Sequence, residues 1–381
     1  MGAHSEKGPS SSERWIHCTP SAKLCADMPD QSSSFAQEGT DAHSLCEHLL
    51  KQALGLPTED PIENLTYYNA EMQECAEGYR DYVLELLTEA KKTCKDPVVQ
   101  VEQHIEYERF VKDGFGTADC LIIADGVLNV VDFKYGMGVE VSAVGNTQMR
   151  IYALGALEIF AALYDIDKVQ MTIYQPRKQN ISVDEISRDE LYDWAENVLK
   201  PAAIKADEGT GEFVTGDWCR FCKAKHICRE RAKKNLELAS YEFASPPLLS
   251  DEEVADILDK VDNLISWAND VKEFALQEAI DGKQWPGFKV VEGRSIRKYV
   301  NETEVAKRVL AAGFEPYEQK LLNITEMQKQ LGKKKFEEIL GEWVVKPQGK
   351  PVLVREDDKR PTLNNAKTDF RLEENQLWQT Q

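Results

Sequence analysis

The 381-residue sequence contains no unbroken apolar run of 18 residues or more, so no membrane-spanning helix is expected. Its opening residues, MGAHSEKGPSSSERW, lack the apolar stretch that a secretory leader needs. Glu6 stands where an N-myristoylation motif requires Ser or Thr, so Gly2 does not read as a lipid anchor. Positive charge is scarce: 46 Lys and Arg face 66 Asp and Glu, for a formal net charge of −20. That balance argues against a broad, non-specific polyanion binder, but not against a local basic groove or a cation-filled acidic site. Nine cysteines, an odd number, do not suit a disulfide scaffold. The expectation is a cytoplasmic protein whose thiols stay reduced.

Hydrophobic residues make up 42% of the chain and charged residues 29%, an ordinary balance for a globular protein with a substantial core. The length suits one large domain and a smaller one. Residues 1–13 are polar and Ser-rich and read as a disordered tail. Helices are expected from near Thr40 and over residues 71–93, followed by a strand in VVQVEQHIEYERF. A hairpin comes next, then a helix in NTQMRIYALGALEIF and a strand in KVQMTIYQPR. The order helix, three strands, helix, strand predicts an α/β fold, a mixed central sheet flanked by helices, over residues 14–240. Ser250-Asp-Glu-Glu opens a long helix with a capping box, after a boundary placed near residue 240. Residues 241–381 read as an α+β extension, with short strands in GFKVVEG and KPVLVRE and helices near 301–312 and 324–341. LGKKKFEE within it is a small basic patch, a DNA contact or, on the plainer reading, a solvated helix face.

The stretch GTADCLIIADGVLNVVDFKYG carries the chemistry. Asp125-Gly126 suits a two-residue type I′ turn. In that register Ala124 pairs with Val127, and Asp119 falls opposite Asp132. Facing carboxylates repel at the roughly 4.5–5.5 Å separation of paired Cβ atoms. Lys134 is two residues beyond Asp132, on the same strand face. Two carboxylates form an oxygen site for Mg²⁺ or Mn²⁺, and a nearby lysine can stabilise charge on a phosphate. The plainer reading is a solvated strand face with a weak surface ion pair. His43, on the early helix, is a competent metal ligand but also an ordinary helical residue. Gln148 and Tyr152, four apart, share one helix face and offer an amide and a hydroxyl to a nucleic-acid backbone.

A second constellation is WCRFCKAKHIC, with Cys219, Cys222 and Cys228 at metal-ligand spacing. Thiolates so spaced suit zinc or an iron–sulfur cluster and need a fourth ligand. His226 would give a Cys₃His zinc site, while Cys18 or its rival Cys25 would close the set from the N-terminal end.

Taken together, GTDAH, GTAD, DFK and QMRIY resemble the active-site motifs of the PD-(D/E)xK nuclease superfamily. The likeness is to its RecB-like branch, which includes CRISPR-associated RecB-like exonucleases, and within it to a phage- and prophage-borne family. The resemblance covers residues 14–235 and implies a restriction-endonuclease-like fold. It implies that His43, Asp119 and Asp132 are metal ligands, with the Phe133 carbonyl a further one, and that Lys134 is the catalytic lysine. Gln148 and Tyr152 then support substrate and site geometry. Glu102 matches an accessory acid, a role for which Glu106 competes. Some members hold a [4Fe–4S] cluster on one N-terminal and three C-terminal cysteines, which favours Cys18 with Cys219, Cys222 and Cys228. Here Cys18-Thr19-Pro20 replaces the usual Cys-Pro.

The implied function is a Mg²⁺- or Mn²⁺-dependent DNA exonuclease in phage recombination or replication, working in the bacterial host cytoplasm. Single-stranded DNA or duplex ends are the expected substrate, with Trp15, Tyr135, Trp218 and Phe221 as stacking candidates. A phage recombinase or single-strand-binding protein is the expected protein partner. Two rival readings are a catalytically silent DNA-binding accessory protein with the same fold, and a zinc-stapled acidic adaptor.

Overall fold

Alternating apolar residues on either side of Asp125-Gly126 fold as a hairpin. The computed structural model describes residues 7–29, 34–238, 249–293, 299–317 and 321–345. Within them β1 (Val98–Glu106), β2 (Phe115–Ala124) and β3 (Gly126–Phe133) form an antiparallel meander. β4 (Ile166–Gln175) lies parallel to β3, and β5 (Asn180–Ser187) returns antiparallel, giving the sheet order β1-β2-β3-β4-β5. Ala124 pairs with Val127 and Cys120 with Val131, the register expected from the sequence. The turn is not type I′, however. That type needs positive φ at both central residues, and only Gly126, at +85°, is left-handed. Gly126 N donates to Asp165 O at 2.6 Å and Asp165 N donates to Asp125 Oδ1 at 3.2 Å, so the approach to β4 shapes the turn.

Helices cover both faces of this sheet, which therefore has two apolar cores. On one face lie α1 (Ser12–His17), α2 (Pro20–Ala26), α5 (Thr147–Phe160), α6 (Arg188–Trp194) and α7 (Lys200–Glu208). Trp15, Ile105, Leu121, Leu128, Leu154 and Met171 are buried there. On the other face α3 (Ser34–Ala53) and α4 (Ala70–Thr93) bury Leu45, Leu50, Tyr79, Val83, Ile122 and Phe133. Each such side chain contributes roughly 1.5–3 kcal/mol when fully buried. α5 is the crossover that a parallel β3–β4 pair requires. Asn146 caps it, accepting from Met149 N at 3.2 Å. Gly155 lets it approach β1, since a Cβ there would lie 2.9 Å from that of Ile105.

Several expectations change. Residues 7–13 are packed rather than a loose tail. Lys7 Nζ is 2.7 Å from Asp207, Pro9 is buried, and Ser12 Oγ lies 2.6 Å from Thr147 Oγ1. Residues 1–6 lie outside the described residues. α3 begins at Ser34, six residues before Thr40. β5 is an additional edge strand, with apolar Ile181 and Val183 exposed. The chain divides into Met1–Lys283 and Gln284–Gln381 rather than near residue 240. α8 (Arg229–Leu236) and α9 (Asp251–Ile280) belong to the first unit, where Arg231 and Lys225 both pair with Asp270. The Ser250 capping box is present.

The second unit contains α10 (Glu302–Ala311), α11 (Ile324–Leu331) and α12 (Lys333–Leu340), with Ala306 and Phe336 buried. Gly332, at φ +74°, divides the helix expected over 324–341. GFKVVEG carries no strand, so the described part of this region is helical rather than α+β. KPVLVRE lies outside the described residues. No described helix is long and apolar enough to cross a membrane.

Candidate active site

The β2–β3 ladder makes its last pair at Cys120 and Val131, one step before Asp119 and Asp132. There side chains take over from backbone. The Phe133 amide donates to Asp119 Oδ2 at 2.8 Å, and His43 Nδ1, from α3, lies 3.4 Å from the same oxygen. On β1 the residue opposite Asp119 is Glu102, between the pairs Val101–Cys120 and Gln103–Ala118. Glu102 has φ +52°, a left-handed conformation that is costly for a non-glycine strand residue. The alternation of the strands slips at this point. Ala118 and Ile105 face one core, while Cys120 and Val101 face the other. The result is that His43, Glu102 and Asp119 each offer a ligand atom within 4.8 Å of the others. Among the described residues no other His, Cys, Asp or Glu trio meets that spacing.

Asp132 is held differently. It is 1% exposed, with Oδ2 2.9 Å from Lys134 Nζ. That oxygen has no hydrogen bond of good geometry, so the ammonium is a close charge rather than a well-aligned donor. Oδ1 accepts from Gln148 Nε2 at 3.3 Å. Lys134 Nζ in turn donates to Gln148 Oε1 at 3.2 Å, and Gln148 Nε2 reaches Tyr152 OH at 2.9 Å. The four-residue spacing on α5 therefore places Gln148 and Tyr152 beside the hairpin, as their shared face requires. The structure brings Asp132, Lys134, Gln148 and Tyr152 into one network and His43, Glu102 and Asp119 into another.

The two groups interact electrostatically. Burial raises the Asp119 pKa, His43 opposes that, and Asp132 adds to it. Glu102 is pushed up to about 8 by burial first, then by Asp119 and Glu47. Burial alone would lower Lys134, but Asp132 and Asp119 outweigh it and hold its ammonium above the ordinary range. Tyr152 is raised well above normal by burial and both aspartates, so it stays a hydroxyl. A site this rich in carboxylates favours protons or cations, and one imidazole with carboxylate oxygens is a donor set for a divalent ion. Phe133 contributes its amide to this geometry and its ring to packing, edge-on to His43 at 5.5 Å. Glu106, the rival to Glu102, is exposed and lies 3.9 Å from His104 instead.

Sequence-distant cysteines also converge. Cys18, Cys219, Cys222 and Cys228 line one pocket together with Arg14, Trp218 and Arg231. Cys25 joins them, its Sγ 3.8 Å from that of Cys222. The Cys222 contact lowers the Cys25 pKa to about 6, with Arg14 assisting, and raises Cys222. His226 does not line this pocket, and its ring stacks on Phe274 at 4.0 Å. Of the stacking candidates, Trp15 and Tyr135 are core residues, Trp218 stacks on His17 at 4.5 Å, and Phe221 is 74% exposed.

A family described as "Protein of unknown function (DUF2800)" matches residues 4–361. The chain belongs to that family. This DUF2800 chain is also similar to a solved structure titled "Crystal structure of SSO0001", at 17% identity and a TM-score of 0.24. The match covers 49% of this chain and 94% of that one, and a likeness so slight carries no argument. Two features of the DUF2800 chain were weakly visible in its sequence. Glu102 reaches the site only through a left-handed strand residue, and Cys25 meets Cys222 across 197 residues.

Proposed function

We propose that this chain is a Mg²⁺- or Mn²⁺-dependent deoxyribonuclease of the PD-(D/E)xK, RecB-like kind. The observation that supports it best is the meeting of His43, Glu102 and Asp119 beside a buried Asp132–Lys134 pair. His43, Asp119 and Asp132, with the Phe133 carbonyl, are the proposed ligands, and Glu102 adds a carboxylate from β1. The residues fit a cation: Asp132 Oδ2 is buried without a well-formed hydrogen bond, and Glu102 and Asp119 both resist ionising without nearby positive charge. When bound, the cation supplies Lewis acidity and a water of lowered pKa. Lys134, kept charged by two carboxylates, stabilises negative charge developing on the phosphoryl oxygens. Gln148 fixes that ammonium by bonding Lys134, Asp132 and Tyr152 at once. Tyr152, kept protonated, provides a neutral hydroxyl for the DNA backbone.

Exonuclease action on single-stranded DNA or duplex ends, in phage recombination or replication, is the proposed role. A recombinase or single-strand-binding protein is the proposed partner, and the host cytoplasm the proposed location. Cys18, Cys219, Cys222 and Cys228 are proposed to hold a [4Fe–4S] cluster that ties the first helices to residues 219–228. Zinc is the alternative, but tetrahedral zinc draws its thiolates to about 3.8 Å from one another. No three cysteines of the described set come within 4.8 Å, a spread that suits a larger inorganic core better. The ready-made Asp132–Lys134 pair, complete without a cation, favours the second reading, a silent DNA-binding accessory protein. Digestion of end-labelled single- and double-stranded DNA with Mg²⁺ or Mn²⁺ decides between them. Cleavage lost in Asp132→Ala and Lys134→Ala supports the nuclease, while equal traces for parent and variants support the silent protein.

A further inference from the structure

Four cysteines line a pocket whose ligand set needs four, and a fifth, Cys25, touches one of them from behind the lining. Cys25, on α2, is 3% exposed, and its sulfur lies 3.8 Å from that of Cys222. Their neighbourhood is firmly tied. Thr19 Oγ1 donates to Thr210 O at 2.6 Å, Lys223 Nζ to Met28 O at 3.0 Å, and Arg14 to Ser21 O at 2.8 Å. The first two bonds hold the ends of α2 against residues 210–223, and the third ties α1 to α2. A disulfide needs about 2.05 Å between sulfurs. Side-chain rotation closes the gap more readily than backbone movement in a region so pinned.

We propose that Cys25 and Cys222 are a modification site, converted to a disulfide by a hydroperoxide. Cys222 is the half-exposed partner and reacts first. Its thiol proton passes to the adjacent Cys25 sulfur as the Cys222 sulfur attacks the peroxide, the O–O bond breaks, and Cys222 becomes a sulfenic acid while the leaving hydroxide takes up that proton as water. The Cys25 sulfur then attacks the Cys222 sulfur, the S–S bond forms, the S–O bond breaks, and water is released. Two thiols and one hydrogen peroxide give one disulfide and two waters. The product joins the two chain segments that Cys18, Cys219 and Cys228 also border. A second consequence rests on the cluster reading above: while Cys222 serves as a ligand its sulfur is not free, so the disulfide forms only in protein without the cluster.

Trypsin separates these five cysteines from one another, cutting at Lys23, Arg220, Lys223, Lys225 and Arg229, and fragment ions distinguish Cys25 from Cys46 on their shared peptide 24–51. The full chain, stripped of metal by a chelator and freed of reductant, is treated with a small excess of hydrogen peroxide and mapped unreduced by mass spectrometry. The expected product joins the Cys25 and Cys222 peptides, and it persists in Cys18→Ser. Cys222 joined mainly to Cys219 or Cys228, or oxidised alone to sulfinic acid, would overturn the proposal. The same treatment of anaerobically reconstituted protein should slow the cross-link at least tenfold. Equal rates, with iron shown to be bound, would remove Cys222 from the ligand set and overturn the exclusivity. Reconstituted protein that binds no iron would instead fail the cluster reading, and the peptide map of the stripped chain still decides the disulfide.

Discussion

The Phe133 amide donates to Asp119 Oδ2 at 2.8 Å, just past Cys120–Val131, the last backbone pair of the hairpin. A side chain thus takes over where β2 and β3 stop pairing, and the same carboxylate meets His43 and Glu102. Replacing it tests two functions at once. Asp119→Ala leaves the Phe133 amide without its acceptor and should cost about 1–3 kcal/mol in denaturant unfolding. Asp119→Asn keeps an acceptor and should cost less, yet should abolish any thermal shift produced by Mn²⁺. A Mn²⁺ shift that survives in Asp119→Asn would place the cation elsewhere.

Glu102 links stability to pH. Its carboxyl is held up to about 8 in the folded chain, mainly by burial and then by Asp119. The unfolded chain loses that proton near an ordinary glutamate pKa of about 4.3. Between those values the unfolded state binds fewer protons, so the group disfavours folding increasingly as pH rises from about 4.5 to 8. The melting temperature of metal-free protein should fall across that window, and Glu102→Gln should flatten the slope. Saturating Mn²⁺ should raise the melting temperature more at pH 8 than at pH 5. Equal pH slopes for parent and variant would remove Glu102 from the account.

Lys134 is the near charge for a carboxylate that is 1% exposed. Lys134→Met strands that charge, which typically costs about 3–5 kcal/mol. Adding Asp132→Asn should recover much of the stability without restoring DNA cleavage. Recovery of both together would mean that the pair serves folding alone.

Gly155 lets α5 lie close to β1. Gly155→Val should cost about 1–3 kcal/mol by overpacking against Ile105. Because α5 carries Gln148 and Tyr152, cleavage should fall as well, and a further Ile105→Val should recover part of both. Urea unfolding and digestion rates, measured on the same preparations, check this.

Much of this site was legible because its signals were local. Asp-Gly fixed the hairpin register, and period-two alternation put Asp132 and Lys134 on one face. The four-residue spacing of Gln148 and Tyr152 placed them together on one turn of α5. Other features depend on tertiary structure. The left-handed backbone at Glu102 and the slip in alternation at Asp119 have no glycine or proline to announce them. Asp125 abandons the type I′ conformation because Asp165 bonds the turn from 40 residues away. β5 is amphipathic only weakly because its edge leaves Ile181 and Val183 exposed, and α9 joins the first unit through Asp270, a single acid among many. Cys25 stands apart from the CxxC motif in sequence, and only folding brings it to Cys222.

The central claim is a divalent cation held by His43, Asp119 and Asp132, with Glu102 adding a carboxylate. Isothermal titration of Mn²⁺ into metal-free protein tests it most directly. A binding event in the parent that is lost in Asp119→Asn and weakened at least tenfold in His43→Ala is the predicted result. Unchanged binding in both variants, or none in a folded parent, would contradict it.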